Sequence, residues 1–322
     1  MRQKIPFRKI AFTLISIAPL VWLNGCKEQL ADLNPQFDDS STVDFFSDGQ
    51  NMGSLQVPEL DEASGLAHSR SDNNYLWSHN DSGGEPWVYL FTQTGVGSGR
   101  VELEGANNID WEDMAIGSGP DDDLDYLFLG DIGDNRAIRD EYQIYRFPEP
   151  DLNVNNLPLS LVLQNEDYDR INFIYDDGPK DAEALMVDPI TKNIYLISKR
   201  EEKVGVYELA FPQSINALDT ARRIMSLPYT FITAADISAS GNEILIKNYL
   251  NVYHWQQDVE QPVTIPELLA RPANRLEYTP EPQGEAIAWH QEETGYFTLS
   301  ETEGIVPEFI FFYDVLITIN QR

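Results

Sequence analysis

Acidic residues recur at one point of a repeating pattern in this chain. Five segments superpose: Glu62-Ala-Ser-Gly-Leu-Ala67, Asp110-Trp-Glu-Asp-Met-Ala115, Asp181-Ala-Glu-Ala-Leu-Met186, Thr233-Ala-Ala-Asp-Ile-Ser238 and Gln283-Gly-Glu-Ala-Ile-Ala288. They contribute Glu62, Asp110, Glu112, Asp113, Glu183, Asp236 and Glu285. The strand that follows each one ends in a second polar group: His79 and Asp81, Asp131 and Asp134, Lys199, Lys247, and Glu301. Carboxylates brought that close repel one another and take up protons unless a cation neutralises them. Hard oxygen donors from several loops suit Ca²⁺ or Mg²⁺, and no His-x-x-x-His or paired-cysteine pattern points to zinc. The expected ligands of a divalent cation, Ca²⁺ for preference, are Asp81, Glu112, Asp131, Glu183 and Glu285. Lys199 and Lys247 are candidates for holding an anion beside that cation, and His79 for moving a proton near neutral pH. Arg136, in the loop Gly130-Asp-Ile-Gly-Asp-Asn-Arg136, adds a further positive group. This is equipment for metal-assisted phosphoester hydrolysis, with His79, Lys199 and Lys247 in catalytic roles. The same residues also have an ordinary use: Asn80-Asp81-Ser82 and Asp134-Asn135 are good turn formers, and lysines relieve acidic crowding.

The elements that must position these groups are short strands. Each repeat start leads through a turn to an apolar strand: Tyr75-Leu-Trp77, Tyr126-Leu-Phe-Leu129, Ile194-Tyr-Leu-Ile197, Glu243-Ile-Leu-Ile246 and Gly295-Tyr-Phe-Thr-Leu299. A third strand follows in each case, at Val88–Phe91, Tyr142–Tyr145, Val204–Tyr207, Asn251–His254 and Phe309–Phe312. A period of about forty to fifty residues with four strands predicts a β-propeller. Small residues in the first strand of each repeat fit the crowding around its axis. The fold class is therefore all-β, a propeller of five four-stranded blades, with six as the alternative if Ile171–Tyr175 marks a degenerate blade. The stretch at 151–156 reads as an insertion, and a short helix is expected near Ile265–Ala270. The last repeat has only three strands, so a strand near Gly53–Val57 is expected to close the ring.

The recurring Glu-Ala starts, Glu183-Ala184 and Glu285-Ala286, and the layout over about residues 56–316 resemble the exported bacterial β-propeller phytases, phytase-like esterases and lactonases. The resemblance is one of layout, and no complete phytase signature is present. No Gly-x-Ser-x-Gly elbow supports a serine hydrolase, and Gly95-Val-Gly-Ser-Gly99 lacks the ending of a phosphate loop. His68, His254 and His290 read as surface or strand residues.

The N-terminus carries a different signal. Arg2, Lys4, Arg8 and Lys9 precede an apolar run from Ile10 to Leu23, which Ser16 and Pro19 interrupt and which is short for a membrane span. It ends in Leu23-Asn24-Gly25-Cys26, which resembles the lipobox of bacterial lipoproteins. That resemblance implies cleavage before Cys26, lipid on its sulfur and amine, and a membrane-anchored, exported protein at the cell membrane or outer membrane. Residues 1–25 are then a signal peptide, 26–55 the lipidated cysteine and a flexible tether, and 56–322 the propeller.

Composition limits the partners. With 22 Lys and Arg against 53 Asp and Glu, the formal charge is −31, which repels nucleic acid and anionic headgroups. Cys26 is the only cysteine, so no internal disulfide exists and the core alone holds the fold. Two functions follow from these observations. One is a cation-dependent phosphoester hydrolase acting on an anionic small molecule. The other is a non-catalytic propeller that binds an envelope protein or glycan and uses the acids for a structural calcium.

Overall fold

The computed structural model describes residues 45–153, 155–301 and 308–316, and among these described residues it has twenty-one strands and one short helix. The expected signal peptide, the expected lipidation site Cys26 and the expected tether up to residue 44 lie outside the described residues. In chain order come β1 (Gln50–Ser54), then β2 (Ala63–His68), β3 (Tyr75–Asn80), β4 (Trp87–Thr92) and β5 (Gly97–Leu103). Next are β6 (Trp111–Ser118), β7 (Asp125–Asp131), β8 (Tyr142–Pro148), β9 (Leu159–Leu163) and β10 (Asp169–Tyr175). They are followed by β11 (Ala182–Val187), β12 (Ile194–Ser198), β13 (Gly205–Leu209) and β14 (Asp219–Ser226). The last elements are β15 (Ile232–Ile237), β16 (Glu243–Asn248), β17 (Val252–Gln256), α1 (Ile265–Leu269), β18 (Asn274–Leu276), β19 (Gly284–Trp289), β20 (Gly295–Ser300) and β21 (Phe309–Asp314).

Each repeat is an antiparallel meander that begins with the acidic segment. The meanders are β2-β3-β4-β5, β6-β7-β8-β10, β11-β12-β13-β14, β15-β16-β17-β18 and β19-β20-β21, the last completed by β1. The first strands β2, β6, β11, β15 and β19 stand side by side in a closed ring, each packed on the next. This arrangement is a β-propeller. Its inner strands are almost wholly buried, which explains their small and apolar composition. Aromatic side chains fill the wedges between meanders. Trp77, Trp111 and Tyr145 pack together between the first two, and each such buried side chain contributes roughly 2–3 kcal/mol.

Three features differ from the sequence reading. The closing strand is β1 at Gln50–Ser54, paired antiparallel with β21, and Phe46 is buried against Trp289 and Tyr296. Residues 45–55, read above as the end of the tether, therefore belong to the propeller, because their apolar residues close its last sheet. The 151–156 insertion sends β9 back to the first meander, where it pairs parallel with β5. The Ile171–Tyr175 segment is β10, which pairs antiparallel with β8 and parallel with β14, linking two meanders into one eight-stranded sheet.

Candidate cation site at the mouth of the ring

The inner strands share a defect at their first turn of pairing. Register slips between Trp111 and Asp113, Ala182 and Ala184, Ile232 and Ala234, and Gly284 and Ala286. The residue left over at each bulge is Glu112, Glu183, Thr233 or Glu285. A bulge takes one side chain out of the strand's alternation and re-aims it. Here it delivers three glutamates to one end of the ring. The partner strands add a second tier, because Asp81, Ile132, Lys199 and Glu301 each donate a backbone N–H to the carbonyl of the residue just before the neighbouring inner strand. In the remaining meander the pairing of Ile232 with Asn248 puts Tyr249 at that position.

The result is a chain of carboxylates around the mouth. One oxygen from each of Asp81, Asp110 and Glu112 lies within 4.8 Å of the others, and the same holds for Glu112, Asp181 and Glu183, and for Asp81, Glu285 and Glu301. That spacing is about twice a Ca–O bond, so one ion could touch all three oxygens of a trio. The trios differ in how their charge is already answered. Glu183 Oε2 lies 2.6 Å from Lys199 Nζ, and Asp181 pairs with Arg200 Nε and accepts the Asp134 N–H at 2.9 Å. Glu285 Oε1 accepts the Tyr249 hydroxyl at 2.5 Å, and Glu301 accepts the Gln283 amide at 2.8 Å. Glu112 is only 3 % exposed, yet no donor among the described residues reaches its carboxylate. Burial, then the charges of Glu183 and Asp81, push its pKa well above the usual carboxylate range. Burial and Glu285 likewise raise Asp81 to about 7 and Glu301 to about 9.

The loop from Gly130 to Arg139 sets the position of two of these acids. Asp134 organises it by accepting the N–H groups of Ile138 and Arg139 at 2.6 and 2.7 Å and the Tyr142 hydroxyl at 2.9 Å. Gly133 then passes so close to the acids that an added Cβ would fall 2.1 Å from Glu112 Oε1 and 2.6 Å from Asp110 Oδ2. Replacing it by alanine must push both carboxylates out of place. Gly133→Ala is expected to weaken Ca²⁺ binding at least tenfold, about 1.4 kcal/mol, in an isothermal titration.

Four of the five expected ligands, Asp81, Glu112, Glu183 and Glu285, come together in these trios. Asp131 does not join them. It is fully buried one position earlier in the register, opposite Trp111, where it holds Arg139 at 2.8 Å and the Asp110 N–H at 3.2 Å. Lys199 reaches the mouth and lies over the Tyr249 ring at 5.4 Å. Lys247 is in register with His79 rather than with Lys199. It is buried, donates to the Gly284 carbonyl and lies 4.9 Å from the Tyr278 ring centroid; burial lowers its pKa to about 8. His79 is also fully buried, edge-on to Trp111, with Nδ1 3.0 Å from the Asn80 carbonyl; burial lowers its pKa to about 4. Gly65, at φ +66°, gives its ring room, since a Cβ there would sit 2.7 Å from Nε2. Among the other histidines, His68 and His254 are buried residues of strands β2 and β17. His254 Nε2 lies 2.6 Å from Glu243, and the His68 and His290 rings are 4.3 Å apart.

Sequence reading missed Tyr249 and Asp181 as members of the mouth and placed Asp110 among the acids without making it a ligand. Two other acids proved structural. Asp113 and Asp236 use both carboxylate oxygens on backbone N–H groups, Asp113 on Met114, Leu185 and Ala235, and Asp236 on Ile237 and Trp289.

Fold and site together define an all-β propeller with a carboxylate-lined mouth. No protein-family model matches the chain, and no curated protein matches it. Among solved structures, a nidogen/laminin complex aligns at 11 % identity over 75 % of this chain and 73 % of that one, with a TM-score of 0.39. So weak a likeness adds nothing to what the strand order itself shows.

Proposed function

We propose that this chain is an exported, lipid-anchored, five-bladed propeller that binds one divalent cation, Ca²⁺ for preference, at Asp81, Asp110 and Glu112. With that cation it takes an anionic ligand of the phosphoester class. The observation that carries this reading is Glu112, a carboxylate only 3 % exposed that belongs to two trios of acids. Ionising a carboxyl buried among other acids costs several kcal/mol, and a cation is the partner this donor set fits. Bound there, a hard cation would supply Lewis acidity toward a phosphoryl oxygen and acidify a water. Lys199 supplies a fixed positive charge at the edge of the same site.

The placement of His79 favours a second reading. Buried against Trp111 with a lowered pKa, it is not in the mouth to move a proton, which supports a binding propeller that performs no hydrolysis. Both readings require the cation. Calorimetric titration of the purified protein with Ca²⁺ is expected to show saturable binding that Glu112→Gln weakens at least a hundredfold. Absence of binding in the unaltered protein overturns the cation site. Turnover of phosphomonoester or phosphodiester substrates that stops in EDTA then selects the hydrolase over the binding module.

A further inference from the structure

Lys199 occupies the place of a cation. Its side chain is almost wholly buried, with Nζ 2.6 Å from Glu183 Oε2 and 5.4 Å from the centre of the Tyr249 ring. Glu183 forms one trio with Glu112 and Asp181, and Glu112 forms the next with Asp81 and Asp110. In both trios the oxygens lie within 4.8 Å of one another, and the trios share one carboxylate, an arrangement that suits two neighbouring cations. They differ in what already neutralises them. Lys199 and Arg200 pair with the first trio, whereas no lysine or arginine among the described residues forms an ion pair with Asp81, Asp110 or Glu112. The ammonium is compact, carries three donors and is tethered by a strand end, so it needs no free ion to keep its place.

Resting on the cation reading above, we infer that the mouth is a two-cation centre in which Lys199 permanently fills one position. A divalent cation exchanges at the other, Asp81, Asp110 and Glu112, while in the third trio Glu285 and Glu301 already accept the Tyr249 hydroxyl and the Gln283 amide. The ligand such a pair suits is an oxyanion, one oxygen toward the divalent cation and another toward the ammonium, across the shared Glu112. Without the ammonium, Glu112, Asp181 and Glu183 would keep only the Arg200 charge and would become a second site for a divalent cation.

The number of Ca²⁺ ions bound tests this, by calorimetry and by metal analysis after gel filtration in Ca²⁺. The unaltered protein and Lys199→Arg are expected to hold one ion, and Lys199→Met to hold two. Lys199→Gln, whose amide can still donate to Glu183, serves where Lys199→Met does not fold. One ion in the unaltered protein and still one in the neutral variants overturns the role of Lys199 while leaving the cation reading intact. Two ions in the unaltered protein also overturn that role. No ion in the unaltered protein and one in the variants overturns the cation reading while upholding Lys199 as a resident cation. No ion in any of them overturns both.

Discussion

Stripped of divalent cations, the protein is expected to lose stability as pH rises from 6 to 8, and saturating Ca²⁺ at pH 8 to raise the melting temperature by about 5–10 °C. The mouth acids set the sign. Burial is the main cause of the raised values of Asp81 and Glu183, about 7, and of Glu301, about 9, with Glu285 adding to each. A carboxyl whose folded pKa exceeds its unfolded one binds more protons when folded. Its contribution is complete below the unfolded value near 4 and is lost as pH climbs through the folded one. Buried neutral histidines act oppositely. His68, lowered by burial to about 3, and His79, lowered to about 4, cost stability only as pH falls below about 6.5. Lys247, near 8, opposes the trend only above that pH. Between 6 and 8 the acids therefore dominate. A bound cation keeps them ionised and removes the loss. Calorimetric melts at pH 6, 7 and 8, in EDTA and in Ca²⁺, measure this directly. Identical curves with and without Ca²⁺ would leave the acids without a cation to answer them.

Glu112 and Asp113 are neighbours in sequence and are expected to respond to mutation with opposite signs. Asp113 sits inside the ring and accepts N–H groups of Met114 at 2.9 Å, Leu185 at 2.8 Å and Ala235 at 3.3 Å, from the three strands β6, β11 and β15. Asp113→Ala orphans those amides where water does not replace them, at about 1–3 kcal/mol each. Burial raises the Asp113 pKa strongly, so removing a poorly solvated carboxyl gives part of that back. The expected net loss is about 3 kcal/mol or more, a fall of roughly 6–12 °C in melting temperature. Glu112→Gln removes a buried carboxyl whose ionisation burial and the neighbouring Glu183 and Asp81 disfavour. It should raise the melting temperature of the cation-free protein at pH 8 while abolishing the response to Ca²⁺. If both variants destabilise the cation-free protein alike, Glu112 is a packing residue and the site falls with it.

The sequence made the ring legible and left the mouth only half so. Three strands per repeat stand out because their apolar runs are bounded by turn residues, and the deficit in the last repeat called for a closing strand. Its position was missed by a few residues, since Gln50-Asn-Met-Gly-Ser54 has no apolar alternation to mark it. The route of β9 to the first meander has no local signal at all, because parallel pairing between distant segments depends on the finished sheet. For the site, acidic residues were visible but their aim was not. A single-residue bulge decides whether Glu112 or Asp113 faces the mouth, Asp131 lies one register step short of the Asp81 position, and Lys247 lies two steps short of the Lys199 position. Tyr249 carries no sign of its role beyond following Asn248 where Lys199 follows Ser198. The loop Gly130–Arg136 did hold a clue in its second glycine, which only close approach of two carboxylates explains.

The last strand of the ring pairs with the first, Gln50 opposite Phe312, and the Gln50 side-chain amide donates to Asp314 across 264 residues. The same seam joins the meander of Glu285 and Glu301 to that of Asp81, so one trio of acids spans the junction. Such distant pairing forms late in folding, since loop closure must precede the contacts that reward it. The mouth is thus assembled only when the circle is complete. An ion held there would act as a clasp, and its affinity would report whether a given molecule has closed.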